Sequence, residues 1–345
     1  MAADLTQDSI SLLGVVETIK PKSSFWLNLC FNQVQNFNDE FIDFDVVSRG
    51  RRLAPFVAPT VQGKVMTQEG YTTKRFAPAY IKPKMVVEPN RVFKRRPGEP
   101  YTGTMSPEAR HNAILADMLR EQVDMHQRRR EWMAANAIIN DAVVVAGENY
   151  PTQTVSFGRA GGQTLALTGG NQWGQAGIKP LDNLDTWSNL AFESSGFAPT
   201  ILIMGLTAWT TFRADSNVKD SLDNNYRGNT SSLATFDPGN GENIQYRGNV
   251  GPLAVYTYND LYEDDAGATQ PMMDQKSVVL LNPDGVEGIQ AFGAIRDPRA
   301  GYQAVDIFPT NWISDDPAAE WLMTQSAPLP VVTRPNAVVK VKVLE

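Results

Sequence analysis

Between residues 107 and 146 apolar side chains recur at Ile114, Leu115, Met118, Leu119, Met125, Trp132, Ala135, Ile139, Ala142 and Val143, close to one face of a helix. Ser106 is a capping residue, Pro107 suits the first helical position, and Glu108 favours the positive end of the helix. Neither Gly nor Pro interrupts the body until Gly147, which reads as a C-terminal stop. The spacing predicts one helix over 107–146, a rod of about 60 Å at 1.5 Å per residue. Helices of globular proteins average about 11–12 residues, so this one reads as a spine crossing the molecule. Its apolar pattern is too loose from Glu121 to Glu131 for a regular coiled-coil heptad.

Elsewhere the pattern shortens to strand length. Val61–Met66 and Tyr71–Phe76 flank a turn at Glu69-Gly70 and predict a hairpin. Prolines at 78, 83, 89, 97 and 100 then forbid a helix. Residues 1–60 show little amphipathic order. Their aromatic residues, Phe25, Trp26, Phe31, Phe37, Phe41 and Phe44, read either as anchors of an arm laid on another surface or as one edge of the main domain. After residue 151, Gly- and Asn-rich loops alternate with buried-type strands at 200–204, 253–258 and 277–281. Helices are predicted near 181–193 and 207–222, with a short one capped by Asp316-Pro317 and running through Trp321. Val339–Val343 alternates strictly and predicts a half-exposed strand. The class is α+β, with no parallel βαβ repeat.

Charge changes this picture by sorting the segments. The chain of 345 residues carries a net charge of −7, divided as −2 over residues 1–60, +6 over 61–132 and −11 over 133–345. A basic segment beside acidic ones suits copies of one chain that attract each other in a fixed register. An acidic chain is a poor general binder of DNA, because affinity for DNA rests on neutralising phosphates. Consecutive Arg128, Arg129 and Arg130 point about 100° apart on a helix, so they cannot converge on one ligand. No run reaches the roughly 18 apolar residues of a membrane span, and the acidic Asp4 and Asp8 do not resemble the basic start of a secretory signal. A protein made in the cytoplasm is expected.

The chemistry-bearing residues are sparse. Cys30 is the sole cysteine and sits in the apolar run Phe25–Phe31, so it reads as a small core residue. His111 and His126 lie about 22 Å apart along the rod and cannot share a metal ion, so each reads as a structural histidine. No nucleophile elbow, zinc-protease helix, phosphate-binding loop or dinucleotide fingerprint occurs. The adjacent acids Asp264-Asp265 and Asp315-Asp316 read as turn formers. No catalytic residue, metal site or cofactor is expected.

The order of parts resembles the plan of tailed-phage capsid proteins with the Hong Kong 97-type fold: N-terminal arm, basic extended loop, long spine helix, then a mixed domain. Two segments are similar to the phage lambda-like major capsid (head) protein family. One is Ala79-Tyr80-Ile81-Lys82-Pro83-Lys84 with Glu88-Pro89; the other is Phe308 to Val332, which holds Asn311-Trp312, Asp316-Pro317 and Gln325-Ser326-Ala327-Pro328-Leu329. The resemblance implies an arm over 1–50 and an extended β-hairpin loop over 51–105 that lies on an adjacent subunit. It implies a peripheral domain over 106–150 plus about 287–330, and an axial domain over 151–286 plus about 331–345. Copies would form the hexamers and pentamers of an icosahedral head enclosing double-stranded DNA, itself touched weakly and without sequence preference. Implied partners are a separate scaffold protein, a portal protein and a decoration protein, with no membrane; the location is the virion capsid, assembled in the bacterial cytoplasm. No covalent crosslinking pair is expected. Composition and resemblance together nominate Phe25, Trp26, Phe31, Lys64, Lys74, Arg75, Phe76, Lys82, Lys84 and Lys94 as inter-subunit contacts. The competing readings are an encapsulin-type nanocompartment shell, an enzyme with an unrecognised site, and a tail or connector protein.

Overall fold

The computed structural model describes residues 12, 16, 24–39, 41–47, 53–66, 71–94, 105–147, 150–219, 244–264, 266–316 and 319–345. The chain opens with helix α1 (Phe25–Cys30) and strands β1 (Gln33–Phe37), β2 (Ile42–Val47), β3 (Tyr71–Phe76) and β4 (Lys84–Val87). The spine helix α2 (Pro107–Asn140) follows, then β5 (Ala142–Gly147), β6 (Tyr150–Ser156), β7 (Thr164–Ala166), α3 (Pro180–Ser195), β8 (Ile201–Met204) and α4 (Leu206–Ala214). The remaining elements are β9 (Ile244–Val250), β10 (Leu253–Tyr258), β11 (Leu261–Glu263), β12 (Thr269–Pro271), β13 (Ser277–Leu281), α5 (Pro283–Val286), β14 (Gly288–Gly293), β15 (Phe308–Ser314), β16 (Ala319–Gln325), β17 (Pro328–Val332) and β18 (Val338–Lys342).

The spine begins as its sequence predicts: Ser106 Oγ accepts from the Ala109 N–H at 3.1 Å and Pro107 takes the first turn. It ends at Asn140, seven residues before Gly147. Asp141 turns into the left-handed region at φ 57°, and its carboxylate accepts from the N–H groups of Gly158 and Arg159 at 3.0 and 2.8 Å. The Arg159 guanidinium donates to the carbonyls of Ile138 and Ile139, satisfying the open end of the helix. Residues 142–147 become β5, because the β-branched run Val143-Val144-Val145 pairs with β6. Thirty-four residues make a rod of about 51 Å.

A six-stranded sheet, ordered β7-β18-β13-β8-β10-β9, has both faces covered. Strand periodicity divides its side chains. Leu202, Met204, Val278, Leu280, Val339 and Val341 pack toward α3 and α4, with Trp173, Trp187 and Phe212. Ile203, Tyr256, Tyr258, Val279, Leu281 and Val338 pack toward α1 and the C-terminal third of the spine. Burial on both faces explains why β8, β10 and β13 are nearly continuous apolar runs. Gly205 closes β8 against the loop before β13: a Cβ there would lie 2.4 Å from the Gln275 carbonyl oxygen. Gly205→Ala is expected to cost about 3 kcal/mol, measured as a lowered urea midpoint; an unchanged midpoint would show that the Gln275 turn yields freely.

Two three-stranded sheets, β1-β14-β17 and β15-β16-β4, sit along the spine. The segments 79–89 and 308–332, which carry the family resemblance, meet in the second: β4 pairs with β16, and Ile81 bridges Ser326. The spine runs parallel to β16, so that Gln122 Nε2 donates to the Leu322 carbonyl at 3.0 Å and His126 Nε2 meets Thr324 Oγ1 at 2.9 Å. Four helical residues advance about 6 Å and two strand residues about 6.7 Å, which is why these pairs stay in step.

Three further expectations are corrected here. Tyr71–Phe76 pairs with Ile42–Val47 rather than with Val61–Met66, which forms no strand. Ile42 and Phe44 offer a buried face and Asp43 stands opposite Arg75, whereas Val61–Met66 is exposed throughout. Ala319–Gln325 is a strand rather than a helix, since Trp321 pairs with Trp312 across β15 and buried Leu322 packs on the spine. The helix expected over 207–222 ends at Ala214; the Asp215 carboxylate accepts from the N–H groups of Asn217 and Val218 and starts a new turn, and 220–222 lie outside the described residues.

Candidate assembly interface

Residues 53–66 form an exposed segment between the β2–β3 ribbon's two strands. It holds no carboxylate, and Lys64 is its one charged residue. Leu53 is 90% exposed, Val65 89%, and Phe56 fully so; Val61 and Met66 are also exposed. Soluble monomers rarely display so many apolar side chains together, and such a patch marks a contact surface. At its root, Arg75 makes two 2.7 Å bonds to the Asp43 carboxylate and holds that carboxyl below its ordinary range. Phe76 stacks on Phe44 with ring centroids 5.7 Å apart, and Lys74 Nζ donates to the Ser156 carbonyl at 2.7 Å.

A groove of about 750 Å³ opens between the spine, β5 and β11. Trp132 and Tyr262 form its wall, edge to face at 6.1 Å, and the Arg129 guanidinium lies 5.5 Å over the Trp132 ring. Met125 and Val144, each about half exposed, add apolar surface, while Glu263 and Asp264 line the acidic end.

The nominated contact residues separate into three groups. Phe25, Trp26 and Phe31 are buried at 5%, 0% and 0% exposure in the chain's own core. Their aromatic density belongs to the edge of the main domain, where Phe25 stacks on Tyr258 at 5.5 Å. Lys74, Arg75, Phe76, Lys82 and Lys84 are engaged within the chain. Lys82 Nζ sits 4.6 Å over the Tyr80 ring, and Lys84 Nζ 3.6 Å over Trp321. Lys64 and Lys94 are exposed. Sequence reasoning weighted the basic residues of the loop and passed over Leu53 and Phe56. Their signal was an apolar run, Leu53-Ala54-Pro55-Phe56-Val57-Ala58-Pro59, broken by prolines and lacking the alternation of a strand with a face to bury.

The other sequence candidates are structural. Arg128 donates to the Leu261 carbonyl at 2.7 Å, Arg129 lies over Trp132, and Arg130 meets Asp306 at 2.6 Å, so the triplet splays as its helical spacing requires. His111 Nε2 is 2.5 Å from Glu320. The Asp264 carboxylate accepts from the Ala266 and Ala268 N–H groups and forms a turn. Cys30 is buried, which pushes its thiol far above the ordinary range. Among the described residues no group of His, Cys, Asp and Glu could hold a metal ion, and no helix is long and apolar enough to cross a membrane.

Burial, with the Arg130 charge adding to it, pushes His126 down to about 4. A histidine whose folded value lies below its unfolded value stabilises the fold above about pH 6.5 and loses that contribution as pH falls toward 4. The loss amounts to about 3 kcal/mol. His126→Gln, which does not titrate, is expected to gain about 3 kcal/mol of urea stability relative to the parent as pH falls from 6.5 to 4. Parallel profiles for the two chains would place the titration elsewhere.

The profile of the phage major capsid protein E family matches residues 8–343. The chain belongs to that family. The major capsid protein of Escherichia phage lambda is 28% identical over 321 residues, covering 92% of this chain and 93% of the relative. That of Enterobacteria phage P21 is 30% identical over 339 residues, covering 96% and 97%. A crystal structure described as a prophage capsid protein of Escherichia coli CFT073 superimposes with a TM-score of 0.76 at 23% identity, covering 98% of this chain and 99% of the other. The architecture is accordingly that of phage capsid proteins, of the Hong Kong 97 type. For this capsid protein, the exposed loop and the acidic-ended groove are the surfaces to consider first.

Proposed function

We propose that the chain is the shell-building subunit of a tailed-phage head. Its copies would form the hexamers and pentamers of an icosahedral capsid around double-stranded DNA. The observation that carries this is residues 53–66, a segment whose apolar side chains Leu53, Phe56, Val61 and Val65 are largely exposed, in a chain related over nearly its whole length to phage major capsid proteins. In this reading the spine and the sheets beside it form the peripheral domain, and the six-stranded sheet with α3 and α4 forms the axial domain. A scaffold protein directs assembly in the bacterial cytoplasm, a portal protein occupies one vertex, and a decoration protein stabilises the finished shell. Packaged DNA is touched weakly and without sequence preference.

Loop 53–66 lies over the adjacent subunit, and the groove at Trp132 and Tyr262 is its seat. The apolar wall suits Phe56 and Val65, and Glu263 and Asp264 suit Lys64. Expression with a candidate scaffold, followed by sedimentation and negative-stain imaging, tests the shell: closed particles support it, and monodisperse small species in every sample contradict it. Lys64→Cys combined with Glu263→Cys tests the seat, because the native Cys30 is buried. Oxidised particles should give a ladder of linked chains on a denaturing gel. Normal particles without a ladder would move the loop to another seat.

A further inference from the structure

We infer that Glu131 is a proton-operated latch between the spine helix and residues 24–31. Helix α1 takes its N-terminal cap from a distant element. The Glu131 carboxylate accepts from the Trp26 N–H at 2.8 Å and the Leu27 N–H at 3.2 Å. Ser24, which occupies the cap position, makes no cap bond of its own and receives Gln127 Nε2 at 2.5 Å. Gln127 and Glu131 thus tie the start of α1 to one face of the spine, beside the core packing of Phe25 and Trp26.

This carboxylate is 4% exposed. The Asp260 carboxylate opposes its charge from the turn before β11, while the Tyr258 hydroxyl and the Cys30 thiol, both held protonated, face it from β10 and α1. Along the spine, Glu121 and Asp124 share an open cavity of about 190 Å³ with it, which gives protons a route from solvent. Among the described residues Arg128 is the one cation that lines that cavity, and its guanidinium donates to the Leu261 carbonyl. The backbone N–H groups of α1 favour the charged form, and burial together with the Asp260 charge disfavours it.

Burial dominates and pushes the Glu131 carboxyl up to about 7. Undocking residues 24–31 would expose it to water and return it to the ordinary carboxylate value near 4.5. A group raised in the docked state gives its full contribution below about 4.5 and loses it as pH rises through about 7. The segment is therefore held more tightly at pH 5 than at pH 8, and its opening constant should differ by roughly 70-fold between them. His126 responds with the opposite sign in an overlapping window. Global stability is thus nearly flat there, while the latch itself still responds. The device does not depend on the shell reading.

The test is amide hydrogen exchange at Trp26 and Leu27 in the full-length unassembled chain, corrected for intrinsic exchange, at pH 5 and pH 8. The parent should open roughly 70-fold more at pH 8, and Glu131→Gln should show no pH response at these two amides. Asp260→Asn leaves the cap intact and keeps the test open if the first variant misfolds; removing a facing carboxylate should move the parent's transition to lower pH. Equal protection of the parent at both pH values, or the same response in Glu131→Gln, overturns the latch. So does a transition that stays in place in Asp260→Asn.

Discussion

Replacing Leu53, Phe56, Val61 and Val65 together by Ser is expected to abolish closed particles while leaving the subunit folded. Each of these side chains is largely solvent-exposed in the isolated chain, so its removal leaves the subunit's own stability within about 0.5 kcal/mol. At a subunit interface each would bury its apolar surface, worth about 1.5–3 kcal/mol apiece. The loss recurs at every copy in a shell, so the effect on particle yield is all-or-none. The measurement pairs negative-stain particle counts with the thermal midpoint of the unassembled chain. Normal particles from the variant would remove the loop from the assembly account. A lowered midpoint would mean that the loop packs on its own subunit. The substitutions must stay within 53–66, because a wider excision through residue 94 would also remove β3 and β4, and with them the buried Val87 and the pairing to β16.

Trp26→Ala should do the reverse, destabilising the subunit before assembly is reached. Trp26 is fully buried between α1 and the spine, edge to face with Phe25 at 5.2 Å and with Tyr258 at 5.6 Å. Truncating a buried Trp costs about 3–5 kcal/mol, a large part of the roughly 5–15 kcal/mol that holds a typical domain folded. The thermal midpoint of the unassembled chain should fall by about 10 °C. An unchanged midpoint with failed assembly would restore Trp26 as an interface anchor. Together the two variants separate the apolar residues that build the subunit from those that join subunits, a distinction that composition alone did not make.

What was legible in the sequence follows from locality. Ser106, Pro107 and the periodic Ile114, Leu115, Met118 and Leu119 announce the start of the spine, because a helix is closed by neighbours three and four residues away. Strands β8, β10 and β13 were legible because burial on both faces makes them apolar throughout. The end of the spine was not, since Ala142 and Val143 continue the helical spacing and their pairing with β6 is visible only in three dimensions. The same holds for β16, where the local Asp316-Pro317 signal competes with a partner strand and loses. Buried polar groups were the least legible. Gln122 and Glu131 look like the solvent-facing part of a loose helix, yet their partners lie 200 and about 105 residues away. The loop was foreseen as a contact surface through its charge, whereas its exposed apolar residues make the stronger case.

The measurement closest to the central claim is a cryo-electron microscopy reconstruction of particles formed with scaffold. The account predicts a closed icosahedral shell in which residues 53–66 of each subunit are buried on a neighbour while residues 25–31 remain in their own subunit's core. Open tubes or rings, or a closed shell whose loops 53–66 face solvent, would contradict it.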